Sequence, residues 1–295
     1  MIKVGILGTG FGKFHGEVYK KIDGFEIVSI FGRDKDKLKK AGDELDVHTT
    51  SDINEIVQNT EIDLLDICLP TEIHSKWAIE GLINKKHIFC ETPLTFKIEE
   101  AEEIKKASQK CGKNVFVDMF FKYSTPHFEA MKIIKEGNLG KLISVRSYNS
   151  TSSRWGDLGV KNNVRSFHIH NMDFVCEIIG TPEKVNVSAL GFVEKSIVTS
   201  TFSVGDTYVV IESNTNLPEC FPFSIGFELI FTDGAICYDA KYGDYTDEKF
   251  ILFKNDTPTE IVKLDTKDEF EEVFKDVLCC IKIIKKVIYW ILNQQ

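Results

Sequence analysis

The chain has 295 residues, of which 43% are hydrophobic and 27% are charged, and its formal net charge at pH 7 is −9. This length accommodates two domains of ordinary size, each with its own hydrophobic core. The acidic balance argues against a general nucleic-acid binder, which needs a basic face, and against a polybasic membrane anchor.

The N-terminal residues and the cysteines favour a cytoplasmic protein. The opening stretch MIKVGILGTGFG is typical of a strand followed by a glycine loop, not of a signal peptide. The apolar stretch 277–292 is interrupted by lysines and is too short to span a bilayer. The eight cysteines are scattered and form no C-x-x-C pair, which favours reduced thiols in the core.

The first part of the chain alternates between apolar strands and helices. The predicted strands are Lys3–Leu7, Glu26–Phe31, Leu64–Leu69, His87–Cys90 and Asn114–Met119. The predicted helices are Phe14–Ile22, Asp34–Leu45, Ile53–Gln58, Ser75–Asn84 and Lys97–Cys111. Fully apolar strands that alternate with helices indicate a doubly wound parallel sheet, covered on both faces.

The second part is dominated by β-branched and aromatic runs after a helix at Thr125–Glu136. The predicted strands are Leu142–Ser147, Val185–Leu190, Ile197–Ser203, Tyr208–Ser213, Phe223–Thr232, Ala235–Ala240 and Phe250–Phe253. A helix over His168–Ile179 interrupts them, and Asp233-Gly234 is typical of a tight hairpin turn. This pattern predicts an α+β domain with a large open, mostly antiparallel sheet.

The change in pattern places the domain boundary near Tyr123. We therefore predict an α/β dinucleotide-binding domain over residues 1–123 and an α+β domain over residues 124–295. The first of these assignments depends on the glycine loop.

The glycine loop GTGFG occupies residues 8–12, directly after the first predicted strand and before a helix. Gly8 permits a sharp turn, and Gly10 lets the backbone approach a pyrophosphate that the helix N-terminus then binds. Lys13 stands where the full G-x-G-x-x-G motif has its third glycine, so the prediction depends on the position of the loop at the first strand–helix junction. The other predicted cofactor contacts in the loop are Thr9, Phe11 and Gly12.

The end of the second predicted strand bears on the choice of cofactor. An acidic side chain at this position usually accepts hydrogen bonds from the adenosine ribose of NAD. Here Gly32 leaves space, and Arg33 is placed to meet the 2′-phosphate of NADP. The sequence favours NADP, whereas an inward turn of Asp34 would favour NAD.

Several further segments carry a resemblance to a known family. They are the glycine loop with His15, the segment Leu65–Pro70 with His74, the segment Lys86–Leu94, the turn Glu136–Lys141, and the segments His170–Asp173 and Gly180–Pro182. Together they resemble the Gfo/Idh/MocA family, the oxidoreductases related to glucose-fructose oxidoreductase and inositol dehydrogenase. The resemblance covers nearly the whole chain.

The resemblance implies a Rossmann domain followed by a substrate-binding and oligomerisation domain with an open sheet. It implies hydride transfer between a nicotinamide and a small hydroxyl or carbonyl compound, commonly a sugar or cyclitol, with His170 moving the proton. It also implies a homodimer or homotetramer that assembles through the large sheet. The further cofactor contacts that it implies are Leu69, Pro70, His74, Glu91, Thr92 and Pro93.

The chain departs from the family pattern at two positions that bear on the chemistry. Thr92 replaces the lysine of the usual Glu-Lys-Pro motif, and Ser166 replaces the acidic residue expected four positions before His170. Lys122 is our first candidate to replace the missing charge, and it is predicted to be catalytic together with His170. The residues predicted to contact substrate are Tyr123, Trp155, Arg165, Ser166 and Asp173.

Three alternatives stay open beside a sugar-like oxidoreductase. The missing lysine also suits an imine or bilin reductase, a non-catalytic sensor that binds cofactor, or a glycosidase that oxidises its substrate transiently with NAD. His168, His170 and Asp173 invite a metal interpretation, but no third strong ligand is visible nearby, so no metal is predicted there.

Overall fold

The computed structural model describes residues 1–152 and 156–282. The described residues form two compact units, the first made of residues 1–120 and 267–282 and the second of residues 121–266. The division lies close to the boundary expected at Tyr123. The described residues 267–282 differ from the expectation, because they group with the first unit.

The first unit is built on a six-stranded parallel sheet with the strand order β3-β2-β1-β4-β5-β6. Its strands are β1 (Ile2–Leu7), β2 (Phe25–Phe31), β3 (His48–Thr50), β4 (Leu64–Ile67), β5 (His87–Cys90) and β6 (Val115–Val117). Its first helices are α1 (Phe11–Tyr19), α2 (Lys35–Leu45), α3 (Ile53–Val57), α4 (His74–Ile83) and α5 (Ile98–Cys111). The strand order reverses between β1 and β4, and this reversal opens a crevice at the carboxyl ends of the strands, where such sheets bind ligands.

The second unit is built on an eight-stranded sheet with the order β14-β13-β12-β11-β7-β10-β9-β8. Its strands are β7 (Leu142–Ser152), β8 (Asn186–Phe192), β9 (Lys195–Val204), β10 (Thr207–Leu217), β11 (Phe223–Phe231), β12 (Gly234–Tyr242), β13 (Thr246–Lys254) and β14 (Glu260–Val262). The pair β7 and β10 is parallel, and the other neighbouring pairs are antiparallel. The two sheets confirm the predicted fold class.

Helices cover one face of the second sheet. They are α6 (Thr125–Glu136), α7 (Val160–Asn163) and α8 (Ile169–Ile179). Phe174 of α8 is buried, and its ring lies 4.1 Å from the His127 ring and 5.1 Å from the Phe227 ring. A π-helical turn at Val164–His168 joins α7 to α8, so the helical run begins before His168, where the sequence placed its start.

The last described helix, α9 (Glu269–Lys282), packs in the first unit. Phe274 of α9 is fully buried, with its ring 4.2 Å from Tyr19 and 4.9 Å from Phe89. This aromatic contact explains why α9 groups with the parallel sheet. Among the described residues, neither α9 nor another helix is long and apolar enough to cross a membrane.

Candidate cofactor site and active site

The glycine loop lies between the end of β1 and the start of α1. Gly8 has a φ of 124°, and a Cβ atom there would stand 2.2 Å from the carbonyl oxygen of Cys68. Glycine alone fits at this position because an L side chain meets both strain and a backbone clash. Gly10 is the N-cap of α1, and a Cβ atom there would meet nothing within 4 Å. The N-terminus of α1 is therefore open to an anion.

The other loop residues hold α1 against the sheet. A Cβ atom at Gly12 would lie 2.7 Å from Cγ2 of Ile6, so glycine lets the helix pack closely on β1. The side chain of Phe11 is 60% exposed, and its ring centroid is 6.4 Å from that of Phe14. The loop thus packs its backbone closely against β1 and leaves the ring of Phe11 exposed.

A cavity of about 510 Å³ opens beside this loop at the ends of β1, β2 and β4. It is lined by Gly8, Thr9, Phe31, Gly32, Arg33, Asp34, Lys37, Cys68, Leu69 and Pro70. Its size is ordinary for a small-molecule site, and it lies where the strand order reverses. The structure therefore brings five of the predicted cofactor contacts together in one cavity.

Asp34 is engaged by its own helix at the edge of this cavity. It is the N-cap of α2, and its Oδ1 accepts hydrogen bonds from the backbone N–H groups of Asp36 and Lys37, both at 3.0 Å. Such a cap stabilises the helix start. Arg33 and Lys37 line the same cavity and supply cationic groups suited to a phosphate. The residues present fit a dinucleotide, with basic side chains at the adenosine end.

His74 ties together the segments that follow β4 and β5. The side chain is buried, with Nδ1 3.0 Å from the carbonyl oxygen of Pro93 and Nε2 2.6 Å from that of Leu69. The bonds fix Leu69-Pro70 relative to Glu91-Thr92-Pro93, where the Thr92–Pro93 peptide is cis. In this structure His74 therefore positions the backbone of Leu69 and Pro93.

A buried acidic cluster lies at the ends of β4, β5 and β6, around His15 of α1. Nδ1 of His15 lies 3.0 Å from Oδ2 of Asp66, and Nε2 lies 3.2 Å from Oε1 of Glu91 and 3.4 Å from Oδ2 of Asp118. His15, Asp66 and Asp118 are at most 1% exposed. Burial by itself lowers the pKa of His15, but Cys68 and Asp66 outweigh it and raise that pKa well above the ordinary value.

The pKa of Asp118 is also displaced by its neighbours in this cluster. Burial raises its pKa to about 6, against the opposing effect of the hydrogen bond with His15, and the charge of Glu91 raises it further. A carboxyl group with such a pKa can hold or release a proton near neutrality. Ionisable groups whose pKa values are displaced in this way are frequent at functional sites.

Thr92, which stands where the resemblance leads us to expect a lysine, is hydrogen-bonded within the first unit. Its hydroxyl donates to the backbone carbonyl oxygen of Asp118 at 2.5 Å and lies 3.1 Å from Sδ of Met119. The backbone N–H of Thr92 donates to Oε2 of Glu91 at 3.2 Å. The hydroxyl is a neutral group already engaged by the protein, so it does not reproduce the ammonium of a lysine.

The two predicted catalytic residues lie in the second unit. Nζ of Lys122 is 2.9 Å from Oδ2 of Asp173 and 3.6 Å from Oε2 of Glu177, so its charge is paired on α8. Burial raises the pKa of Asp173, although Lys122 opposes the shift. His170 lies one helical turn before Asp173, with its ring 4.8 Å from that of Phe121. Burial lowers the pKa of His170 to about 4, so its imidazole is neutral at pH 7.

The remaining predicted substrate contacts occupy short irregular segments. Tyr123 ends a 3₁₀ turn, and Arg165 and Ser166 lie in the π-helical turn before α8. The Ser166 hydroxyl donates to the backbone carbonyl oxygen of Asn162 at 2.6 Å. Trp155 lies outside the described residues. Their contact with a substrate stays a prediction.

His168 is held by the sheet. Its Nδ1 lies 2.9 Å from the hydroxyl of Ser213, and its Nε2 lies 2.9 Å from the hydroxyl of Ser200. Burial lowers the pKa of His168 to about 4. This histidine therefore joins the π-helical turn to β9 and β10.

Sequence reasoning missed the cluster of His15, Asp66, Cys68 and Asp118. His15 entered only as part of the family's opening motif, and Cys68 only as a core thiol. One signal was visible: Asp66 is an acid within the apolar run LLDICL. A buried acid needs a partner, but nothing in the sequence indicates that the partner is His15, 51 positions away.

The comparisons with known proteins agree with this geometry. A cavity at the switch point beside a glycine loop defines a dinucleotide-binding unit. Residues 2–119 match the family model described as "Oxidoreductase family, NAD-binding Rossmann fold". This match covers the first unit, and it agrees with the resemblance to the Gfo/Idh/MocA family that the motifs indicate.

Individual relatives are distant. The chain is 28% identical to the uncharacterized oxidoreductase YrbE of Bacillus subtilis, over 72% of this chain and 67% of the relative. It is 25% identical to the scyllo-inositol 2-dehydrogenase (NADP(+)) IolW of the same organism, over 64% of this chain and 55% of the relative. Several other curated relatives are matched over 52% to 54% of their length, so the matched part of the chain spans about half of them.

A solved structure extends the likeness of fold to almost the whole chain. Biliverdin reductase of Synechocystis sp. PCC 6803, in complex with biliverdin and NADP+, matches with a TM-score of 0.79 and 17% identity. The match covers 98% of this chain and 93% of that one. At this identity the match establishes the fold alone.

Proposed function

We propose that the protein is an oxidoreductase that prefers NADP and transfers a hydride between the nicotinamide and a carbonyl or hydroxyl carbon of a small, sugar-like substrate. The glycine loop beside a cavity lined by Arg33 and Lys37, with Asp34 turned to cap α2, carries this proposal. The name of IolW, an NADP-dependent inositol dehydrogenase, supports a polyol substrate.

The residues of the first unit bind and orient the cofactor. The open N–H groups at Gly10 receive the pyrophosphate, and Arg33 and Lys37 receive the 2′-phosphate. Leu69, Pro70 and the segment Glu91–Pro93 hold the nicotinamide end, and His74 fixes their backbone. When bound, the nicotinamide supplies or accepts the hydride.

His170 is our candidate for moving the substrate proton. Burial keeps the imidazole neutral at pH 7, so an unprotonated ring nitrogen can accept a hydrogen bond from the substrate hydroxyl. Lys122, paired with Asp173 on the same helix, orients the substrate oxygen or holds α8 in place. Tyr123, Arg165, Ser166, Trp155 and Asp173 are the proposed substrate contacts.

A second candidate function is reduction of an imine or a bilin. The observation that favours it is the Thr92 hydroxyl, which is bonded to Asp118 and brings no positive charge. Hydride transfer to an iminium carbon leaves a neutral amine, so no alkoxide has to be stabilised. The name of the biliverdin reductase neighbour supports this alternative.

Turnover with a defined panel tests the two candidates. The full chain is assayed with NADP+ on inositols and UDP-sugars, and with NADPH on biliverdin and cyclic imines, by the absorbance of the reduced nicotinamide. Thr92→Lys should raise the rate on hydroxyl substrates and leave imine reduction unimproved. His170→Ala should slow turnover by ~10²–10⁴-fold while NADPH affinity is kept, whereas the exposed His48→Ala should change neither.

The same panel separates the remaining alternatives. Cofactor binding without turnover on any compound contradicts the oxidoreductase and favours a sensor. Release of sugar from a glycoside without net change in a tightly held cofactor favours a glycosidase. Equal or tighter binding of NADH than NADPH contradicts the preference for NADP.

We also propose that the chain assembles through the outer face of its eight-stranded sheet. Tyr208, Ser144, Ile230, Ala235 and Phe253 are paired in one row across five strands. Directly paired residues share a face, and Tyr208, Ile230 and Phe253 are 52%, 37% and 39% exposed. Ile230→Glu should lower the molar mass measured by light scattering toward that of the monomer. Val187→Glu is the control, because its paired neighbour Ser200 faces the helices and Val187 therefore lies on the opposite face from Ile230, so this variant should leave the mass unchanged.

A further inference from the structure

Three ligand atoms in the first unit form a nearly equilateral triangle. Nδ1 of His15 lies 3.3 Å from Sγ of Cys68 and 3.3 Å from Oδ1 of Asp66, and Sγ lies 3.3 Å from the same oxygen. In a tetrahedral zinc site, metal–ligand lengths of about 2.0–2.3 Å place neighbouring ligand atoms about 3.3–3.7 Å apart. The three atoms therefore already stand at the spacing of one face of such a tetrahedron.

A fourth ligand is within reach. Ligand atoms of His15, Cys68 and Glu91 all lie within 4.8 Å of one another. The Glu91 side chain is 20% exposed, and its Oε1 lies 3.2 Å from Nε2 of His15, so the carboxylate has to turn toward the Nδ1 edge of the ring to bind the same ion as Asp66 and Cys68. Nitrogen, sulfur and carboxylate oxygen are the donors that zinc takes in proteins.

The electrostatics of the cluster favour a cation. Three carboxylates, those of Asp66, Glu91 and Asp118, face the single imidazole of His15. Even a protonated His15 cannot balance them when they are ionised, and buried charge without compensation is costly. Oδ1 of Asp118 is buried without a hydrogen-bond partner among the described residues, so acceptor capacity at the cluster is left unused.

We propose that His15, Asp66, Cys68 and Glu91 bind one divalent metal ion of the zinc class. Binding forms bonds from the ion to Nδ1, Oδ1, Sγ and a carboxylate oxygen, while the thiol proton of Cys68 and the Nδ1 proton of His15 pass to solvent. The ion joins α1 to the ends of β4 and β5 directly beneath the glycine loop.

The cluster adjoins the cavity beside the loop. Cys68 lines this cavity together with Gly8 and Thr9. An ion bound there fixes the backbone of Cys68, whose carbonyl oxygen faces Gly8. The site therefore stabilises the loop that receives the pyrophosphate.

Cobalt titration of the full chain tests the site without any substrate. Chelator-treated protein is titrated with CoCl₂, and the expected result is one ion per chain with a thiolate-to-cobalt charge-transfer band, which ZnCl₂ then removes. Cys68→Ser should abolish the band and weaken Co²⁺ binding by ~100-fold or more, and Glu91→Gln should weaken binding with the band retained. Circular dichroism verifies that each variant is folded.

Cys280→Ser is the matched control. The Cys280 thiol is also buried beside a carboxylate, 3.8 Å from Oδ1 of Asp276, but it has no part in the cluster, so its loss should leave the spectrum unchanged. The proposal is overturned if the wild-type chain binds no stoichiometric Co²⁺, or if the band survives in Cys68→Ser. Because the readout is binding, either result is independent of the proposed oxidoreductase activity.

Discussion

The hydroxyl of Thr92 donates a hydrogen bond to the backbone carbonyl oxygen of Asp118, 2.5 Å away, and so joins the segment after β5 to the end of β6. Thr92→Val keeps the shape of the side chain but leaves this partly buried oxygen without its donor. We expect the free energy of unfolding to fall by about 1–3 kcal/mol in urea titrations. Thr95→Val, which removes an exposed hydroxyl bonded to the Lys97 carbonyl, is the control and should cost less.

Arg33 is expected to discriminate between the two cofactors. Arg33→Ala removes a charged hydrogen-bond donor from the cavity, and such a bond to a phosphate contributes about 1.5–3 kcal/mol. NADPH should bind about 10–150-fold more weakly, while the dissociation constant of NADH changes little. Isothermal titration calorimetry measures both constants. Lys35→Ala, at the start of α2 and outside the cavity lining, should leave both unchanged, and an equal loss for both cofactors would contradict the role of Arg33.

Acid should destabilise the second unit through His168. Its pKa is about 4 in the folded chain and near 6.5 when unfolded, so between these values the unfolded chain binds a proton that the folded chain does not. The stability is complete above about pH 6.5 and falls by up to ~1.4 kcal/mol per pH unit as the pH drops toward 4.

His168→Gln and the exposed His48→Gln separate this effect from other titrations. Urea unfolding at about pH 7 and about pH 5 should show a shallower pH dependence for His168→Gln than for wild type. His48→Gln replaces an exposed histidine and serves as the control. An unchanged slope in His168→Gln would mean that other groups set the acid response.

Phe274 should account for much of the stability contributed by α9. The ring is fully buried against Tyr19, Phe25 and Phe89, and Phe274→Ala leaves a cavity among them. A loss of about 3–5 kcal/mol is expected in chemical unfolding. Phe253→Ala, on a ring that is 39% exposed, serves as the comparison and should cost markedly less. Similar losses for both variants would show that α9 is not docked through Phe274.

The fold was predictable from the sequence wherever burial of a strand or helix leaves a regular spacing of apolar residues. Continuous apolar strands such as Leu64–Ile67 and alternating ones such as Lys195–Val204 follow directly from which faces are covered. The strands His48–Thr50 and Glu260–Val262 were missed because three residues are too short to show a period. The π-helical turn was missed because its polar residues interrupt the helical pattern.

The candidate site divides along similar lines. The glycine loop and Arg33 were predictable because local backbone geometry and one charged side chain define them. The hydrogen-bond partners of Asp34, Thr92 and His15 were not predictable, since each depends on which of several possible hydrogen bonds forms in the folded chain. Asp34 caps its own helix, and Thr92 bonds to the residue that follows β6, 26 positions away, which no spacing rule indicates.

The contact between Gly32 and Thr9 has an evolutionary consequence. A Cβ atom at position 32 would stand 2.6 Å from Cγ2 of Thr9 and 3.3 Å from Cδ1 of Leu38. An acidic side chain introduced there to receive an NAD ribose therefore requires the Thr9 side chain to turn away or to be replaced by a smaller one. The two positions are thus epistatic, because the effect of a carboxylate at position 32 depends on the residue at position 9.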